Sequence, residues 1–591
     1  MNQNNNRNHT NNIQLKQPSA NQTMFVECYG AGSEVGRSSI LVEISGKRIL
    51  LDSGVNIGTN NRRKWLPEIP DDLQVDLILI SHIHGDHLDS LPWLTEVKHC
   101  NAPIYMTRAS KMLAPIILND FIKVTENPPY NHNDIESCMC KINTIEFNQR
   151  MCVNGIQFTA IPAGHILGAC AFYISCGGRS VLYTGDFSAA ADHHLSGHQI
   201  PRLFPDILIT ESTYGDKNRE SMFTREKNFV QMVHKCVSNG GNVLIPVFAV
   251  GRLQEICLML NDYWERIDCK YSIYFASKMG ADATTVYSQA ITYMNPTFQS
   301  GFFDEGKRTL NFSKIIRYND NIPLVSPYVM VATSGMLTEG NSYELFIEKK
   351  LYDNPRNLII FPGYCGESTL GRAILERGPD NHVVFPKKSL DFIVKCKIER
   401  ITFSAHADQY EIVSMCERLK PRNVVTVHGD RDTVKVLSDI IKNELNINSI
   451  NAINRKVINF QDMEIEKIEL DKDCINYKYG TPISFIGGLQ SNNGLKIISL
   501  KKAAAAEGSS FKKIHIKRKV KTNASLESIK DLLLSLKLCE KDDKIDPSTK
   551  FKTRSFDIEF IEDGLLLSFD LSRKKVIERF CCLLNNHYNM F

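Results

Sequence analysis

Short apolar runs rich in β-branched residues recur along this chain, and most stop at a side chain able to hold a metal or a proton. "KRILLDSG" stops at Asp52, "VDLILISHIHGDH" at a His/Asp cluster, "IQFTAIPAGHILG" near His165, "RSVLYTGDF" at Asp186 and "PDILITESTY" at Glu211. Much later, "ERITFSAHAD" stops at His406 and "RNVVTVHGD" at His428. Apolar runs of about four to six residues bounded by turn formers predict strands. Stretches such as "REKNFVQMVHKCV" between them carry helical spacing, so the chain is predicted to be α/β, with functional groups at the C-terminal ends of strands. "GKRILLDSG" parallels "GRSVLYTGD", and "DLILISHIH" parallels "DILITESTY". Two related halves folded against each other would bring both sets of ligands to one edge.

The densest stretch, "ISHIHGDHLD", crowds three imidazoles and a carboxylate at the end of a buried run. Polar rings in a core each need a partner, and a metal supplies it. Alternate residues of an extended segment share a face, so His82 and His84 can address one ion. A turn at Gly85 then lets Asp86 and His87 address a second. Zinc favours this mixture of imidazole and carboxylate.

The pattern H-x-H-x-D-H, followed by the Gly-His of His165 and the Gly-Asp of Asp186, resembles the metallo-β-lactamase superfamily. "ESTY" at Glu211, "SAHAD" at His406 and "VHGD" at His428 resemble motifs A, B and C of its β-CASP branch, which cleaves nucleic acids. A His in motif C is similar to the RNA-processing members. "GAGSEVGRSSILVEISGKRILLDSG", "LIPVFAVGRLQE", "VATSGML" and "FPGYCGESTLGR" look most like catalytic subunits of nuclear complexes that process RNA 3′ ends. The resemblance implies a metallo-β-lactamase αββα sandwich (residues 24–216 and 399–470) interrupted by an inserted β-CASP α/β domain (217–398). It departs from the family at Ile83 and Gly85, where relatives carry Phe and Leu; neither is a ligand, but Gly85 is expected to loosen the turn.

The resemblance also implies the roles. His82, His84 and His165 would bind one Zn²⁺, and Asp86, His87 and His428 a second, with Asp186 bridging the two. His406 would be the general acid with Glu211 as its partner, and Asp52 would steer a ligand. Arg252 and Gln254 of "FAVGRLQE", and Arg372 of "STLGRAILERG", are candidate RNA contacts near helix starts. The implied partners are an RNA substrate, scaffold subunits of a nuclear complex and a catalytically inactive β-CASP paralogue, and the implied location is the nucleus, with the cytoplasm also open. Two rivals stand beside this reading: a small-molecule hydrolase using the same metals, and a scaffold that binds without cutting.

Composition narrows the setting. With 43% apolar and 23% charged residues, the 591-residue chain is an ordinary globular one, with no run of the length a membrane span requires. A net charge of +4 means that any field attracting nucleic acid must be local. Seventeen scattered cysteines without a CxxC pair suggest a reducing compartment, cytosol or nucleus; the C-x-C of Cys138 and Cys140 lacks a second pair. Residues 1–23 form an Asn-rich tail expected to be disordered and without the apolar core of a signal peptide. Residues 480–591 predict a small α+β module. "FKKIHIKRKV" alternates as a half-exposed strand, "SLESIKDLLLSLKL" sets Ile529, Leu532, Leu533 and Leu536 on one helical face, "SFDIEFIEDGLLLSFDLS" predicts a hairpin at Asp563-Gly564, and "KKVIERFCCLL" a last helix. By the resemblance, this module pairs with the inactive paralogue.

Overall fold

The architecture comes from a computed structural model, which describes residues 24–460 except 57–63, 305–309, 311, 320, 364, 367–368 and 386–387. Beyond 460 it describes 469–470, 487–490, 496–499, 515–521, 526–536, 538, 551–553, 556–561 and 564–570. The chain divides into two compact units at 463/464.

Two seven-stranded sheets form the base of the first unit. One runs Ile458–Phe460, Met24–Gly30, Ser39–Ile44, Lys47–Leu51, Leu77–Leu79, Ile104–Thr107, Ile142–Ile145. The other runs Asn448–Asn451, Asn423–Val427, Ile207–Glu211, Arg179–Tyr183, Cys170–Cys176, Ile156–Pro162, Arg150–Val153. Val42, Ile49 and Leu79 of one sheet share a core with Phe172, Val181 and Ile209 of the other. Leu41, Leu50 and Ile78, pointing the opposite way, join the core under the helices. Both faces of these strands are therefore buried, which is why they read as unbroken apolar runs. Helix Arg108–Val124 packs on the outer side of one sheet and helix Arg431–Leu445 on that of the other, giving the αββα order.

Strands Lys47–Leu51 and Leu77–Leu79 run parallel, as do Arg179–Tyr183, Ile207–Glu211 and Asn423–Val427. Their C-terminal ends therefore lie side by side. The chain leaves the second sheet after Glu211 and returns as the adjoining strand, with Val427 opposite Glu211. Between departure and return lies a six-stranded, wholly parallel sheet in the order Ile315–Arg317, Ser272–Ala276, Tyr328–Ala332, Val243–Pro246, Leu358–Phe361, Lys397–Arg400. Phe229, Leu253, Ile256 and Trp264 of helices Met222–Ser238 and Arg252–Arg266 share a core with its strands Val243–Pro246 and Tyr328–Ala332.

The strand expected to end at His406 stops earlier. Lys397–Arg400 is an edge of the inserted sheet, so the boundary expected at 399 falls inside it. Ile401 and Phe403 then donate backbone bonds to Phe361 and Pro362 at 3.1 and 3.0 Å, and residues 401–407 continue without regular structure. Cys138 is buried and Cys140 exposed on helix His132–Lys141, so the C-x-C offers no shared site.

In the second unit, His515–Lys521, Gly564–Asp570, Phe556–Ile561 and Phe551–Lys552 form an antiparallel sheet in that order. On helix Leu526–Ser535, Ile529, Leu532 and Leu533 are buried, while Leu536 beyond it is only partly so. Residues 1–23, 511–514, Asp563 and the final "KKVIERFCCLL" lie outside the described residues.

Gly54 is where the sandwich constrains the His/Asp turn most tightly. A Cβ on it would stand 1.8 Å from the Asp86 carbonyl oxygen, a backbone atom with no room to move. Gly54→Ala is therefore expected to cost about 3 kcal/mol or more and to displace residues 85–87. A lower melting temperature together with weakened metal binding is the expected result; an unchanged melt would show that the turn is not held there.

Candidate metal centre at the strand ends

The His/Asp stretch leaves its strand at Leu79 and runs extended to His84, which caps the short helix Gly85–Leu88. His82 and His84 thus converge from an extended segment beyond the ladder. The backbone of the turn is pinned: Ser38 N–H donates to Asp86 O (2.7 Å), Ser53 N–H to His87 O (2.8 Å) and Val55 N–H to Gly85 O (2.9 Å). Gly85, expected to loosen the turn, has its carbonyl held by Val55 N–H and by Asp89 N–H at 3.0 Å.

Seven side chains meet in two groups. His82, His84, His165 and Asp186 form one and Asp86, His87 and His428 the other, with the ligand atoms of each group all within 4.8 Å of one another. His165 Nε2 lies 2.9 Å from His84 Nδ1. His87 Nε2 lies 3.3 Å from His428 Nε2, which is 3.0 Å from Asp86 Oδ2. Asp186 reaches both groups, with Oδ2 at 3.6 Å from His82 Nε2 and 3.4 Å from His87 Nε2. Among the described residues, His82 Nε2 and Asp186 Oδ1 are buried without any hydrogen-bond partner. Convergent nitrogen lone pairs and orphaned polar atoms in a buried site are repulsive unless a cation sits among them. The donor set fits a metal.

Three of the rings are oriented from behind, as metal-ligating imidazoles are. His165 Nδ1–H donates to Ala405 O at 2.8 Å, and Ser81 Oγ lies 3.0 Å from His82 Nδ1. Asp52 Oδ2 takes the His87 Nδ1 proton at 2.7 Å, and also bonds Ser81 Oγ (2.7 Å) and Tyr183 OH (2.6 Å). Asp52 is therefore a buried anchor, one residue removed from the cluster. Burial, reinforced by neighbouring rings, drives His82 and His165 well below the usual histidine value, and burial brings His84 to about 4. These rings are neutral, the form in which imidazole binds metal.

His406 stands beside the cluster. Its Nδ1–H donates to Glu211 Oε2 at 2.6 Å and lies 3.7 Å from Asp186 Oδ2. Burial disfavours its charged form, but Glu211, then Asp186, outweigh this and raise it to about 8. The loop that carries it is held by side chains the sequence pattern does not single out. Arg219 bonds the carbonyls of Ser404 and His406, and Arg225 that of Thr402. Nothing in the local spacing marks these arginines, since their targets lie more than 170 residues away.

The candidate RNA contacts separate. Gln254 is buried, and its amide bonds Gly251 N, Ala249 O, Gly280 O and Thr284 Oγ1, so it braces the helix start and cannot meet a phosphate. Arg252 is half-buried, and the charges nearest it include Glu255, Asp192 and Arg219. Arg372 pairs with Glu376 at 2.7 Å and lines a surface hollow of about 380 Å³ with Arg400 and Ile398. A further cluster joins the two domains: His194 Nδ1–H donates to Glu255 Oε2 at 2.9 Å, beside Asp192 Oδ1 at 3.2 Å. Neither Asp192 and His194 nor their partner Glu255 is marked by the strand-end pattern of the sequence.

A metal-ligating cluster at the C-terminal edge of an αββα sandwich, with a second α/β domain inserted above it, defines a metal-dependent hydrolase of the metallo-β-lactamase class. Residues 41–206 match the metallo-beta-lactamase superfamily domain, 253–374 the Beta-Casp domain, and 392–452 the Zn-dependent metallo-hydrolase RNA specificity domain. The chain belongs to the β-CASP branch of this superfamily, the metal-dependent nucleases of RNA processing. It is 39% identical over 433 residues to Integrator complex subunit 11 of Danio rerio, covering 71% of each chain. It is 35% identical over 452 residues to cleavage and polyadenylation specificity factor subunit 3-II of Arabidopsis thaliana, covering 74% of this chain and 73% of that one. With the Integrator complex subunit 11 homolog of Dictyostelium discoideum it shares 36% identity over 485 residues, 77% of this chain and 64% of the relative.

Proposed function

We propose that this chain is a zinc-dependent RNA endonuclease, the catalytic subunit of an Integrator-like complex that cuts the 3′ ends of nascent small nuclear and other nuclear RNAs. The carrying observation is the double ligand set, complete in every member and set beside a protonatable His406. Cutting of precursor messenger RNA is the alternative, supported by the likeness to a cleavage and polyadenylation factor at 35% identity against 39% for the Integrator relative.

In this reading His82, His84 and His165 would hold one zinc and Asp86, His87 and His428 the other, with Asp186, which reaches both groups, serving the pair. Bound there, the pair supplies Lewis acidity that activates water and offsets charge on the phosphoryl oxygens. Asp52 fixes His87 by holding its Nδ1 proton, which leaves the lone pair on Nε2 facing the cluster. With His406 Nδ1–H held by Glu211, the proton for transfer sits on Nε2, ready for the leaving 3′ oxygen. The products are a 3′-hydroxyl and a 5′-phosphate. Arg252 and Arg372 steer the RNA backbone; Gln254 does not. The C-terminal module pairs with a catalytically inactive paralogue resembling Integrator subunit 9, scaffold subunits complete the assembly, and the assembly works in the nucleus.

His406→Ala is expected to keep both zincs and lose cleavage, while Asp86→Ala loses metal as well; full cutting by the first variant removes the acid assignment. The same assignment gives the pH profile its sign. Cleavage should fall as pH rises past the value of His406, at or below about 8 because two adjacent cations favour the neutral ring. For the arginines, an Arg252→Ala/Arg372→Ala double variant should flatten the salt dependence of RNA binding by about 0.7 for each phosphate that is no longer neutralised. An unchanged slope removes both arginines from the RNA path.

A further inference from the structure

We infer that Thr213 is a positioning residue that fixes the ring of His428, and that it ties this ligand to the carboxylate which also holds the general acid. The inference rests on the metal-dependent reading above and concerns a side chain that takes no direct part in it.

Thr213 follows Glu211 by two residues in "ESTY", at the point where the chain leaves the second sheet. Its hydroxyl has one proton to give. Glu211 Oε2 lies 2.6 Å away, nearer and more strongly accepting than His428 Nδ1 at 3.1 Å, His406 Nδ1 at 3.3 Å or His428 O at 3.4 Å. The short bond to the carboxylate takes the proton. The hydroxyl oxygen can then only accept, and two ring nitrogens approach it. His406 Nδ1, at 3.3 Å, already has its own acceptor in Glu211 Oε2 at 2.6 Å. His428 Nδ1, at 3.1 Å, has a more distant alternative, Asp186 Oδ1 at 3.5 Å. The lone pair of Thr213 therefore receives the His428 Nδ1 proton.

A metal at the cluster requires the lone pair of His428 on Nε2, beside Asp86, so the one proton of the neutral ring belongs on Nδ1, against Thr213. With the proton on Nδ1, its lone pair is on Nε2, the nitrogen that faces Asp86 at 3.0 Å and His87 at 3.3 Å. Thr213 thus does for His428 what Asp52 does for His87. His428 has particular need of such support. It sits at a left-handed backbone position (φ 52) just past its strand, where its ring direction depends on a sharp turn. Glu211 becomes a hub: Oε1 accepts from Phe187 N at 2.7 Å, next to the bridging Asp186, while Oε2 accepts from both Thr213 and His406.

The test compares Thr213→Val, which keeps the shape and removes the hydroxyl, with Thr213→Ser, which restores the hydroxyl. Zinc affinity is read on the full chain by competition with a chromophoric chelator, without any RNA. Valine should weaken one of two zinc equivalents by about 10–100-fold and leave the other unchanged, while serine returns both to the wild-type curve. Nitrogen-15 histidine spectra of the zinc-loaded protein should show a mobile or mixed tautomer for His428 in the valine variant only. If wild type takes up no zinc, the metal-dependent reading fails. If wild type binds two zincs and valine binds them equally well with an unchanged His428 signal, the role of Thr213 is overturned and the metal reading stands.

Discussion

The structure depends on one repulsion. Four of the five ligand imidazoles pair off with ring nitrogens 2.9 and 3.3 Å apart, and Asp86 and Asp186 lie among them. Parallel strands set the spacing of the ligand-bearing ends, and backbone bonds from residues 38, 53 and 55 fix the turn at 85–87. Side chains so placed would spread apart if they were free. Their convergence is a cost borne by the packed sandwich beneath them, and bound cations remove it.

The second constraint is that the sandwich alone does not complete the site. The loop returning from the inserted domain lends the Ala405 carbonyl to His165 and supplies His406, while Arg219 and Arg225 hold that loop in place. The helix Arg252–Arg266 is joined to the sandwich through Glu255 and His194, both buried. The orientation of a ligand therefore depends on how the inserted domain is seated.

How much of this could be read from the sequence follows from the range of the forces involved. Strand ends at Asp52, Asp186, Glu211 and His428 were legible because each is a short buried run ended by a turn, a local pattern. The strand drawn to His406 was not, since "ERITF" is apolar enough for a ladder but its pairing stops at Arg400, where the neighbouring strand Leu358–Phe361 also ends. Gln254 looked like a phosphate contact because it opens a helix; only the packed structure shows its amide facing inward. Thr213 and Arg219 reach His428 and the His406 carbonyl across 215 and 187 residues of sequence, and leave no periodic trace.

Whether this centre holds two zinc ions is read by anomalous diffraction at the zinc absorption edge. Two peaks are expected in crystals of the zinc-loaded chain, one among His82, His84 and His165 and the other among Asp86, His87 and His428, with Asp186 in contact with both. No peak, or a single peak with His428 turned away, contradicts the two-zinc reading.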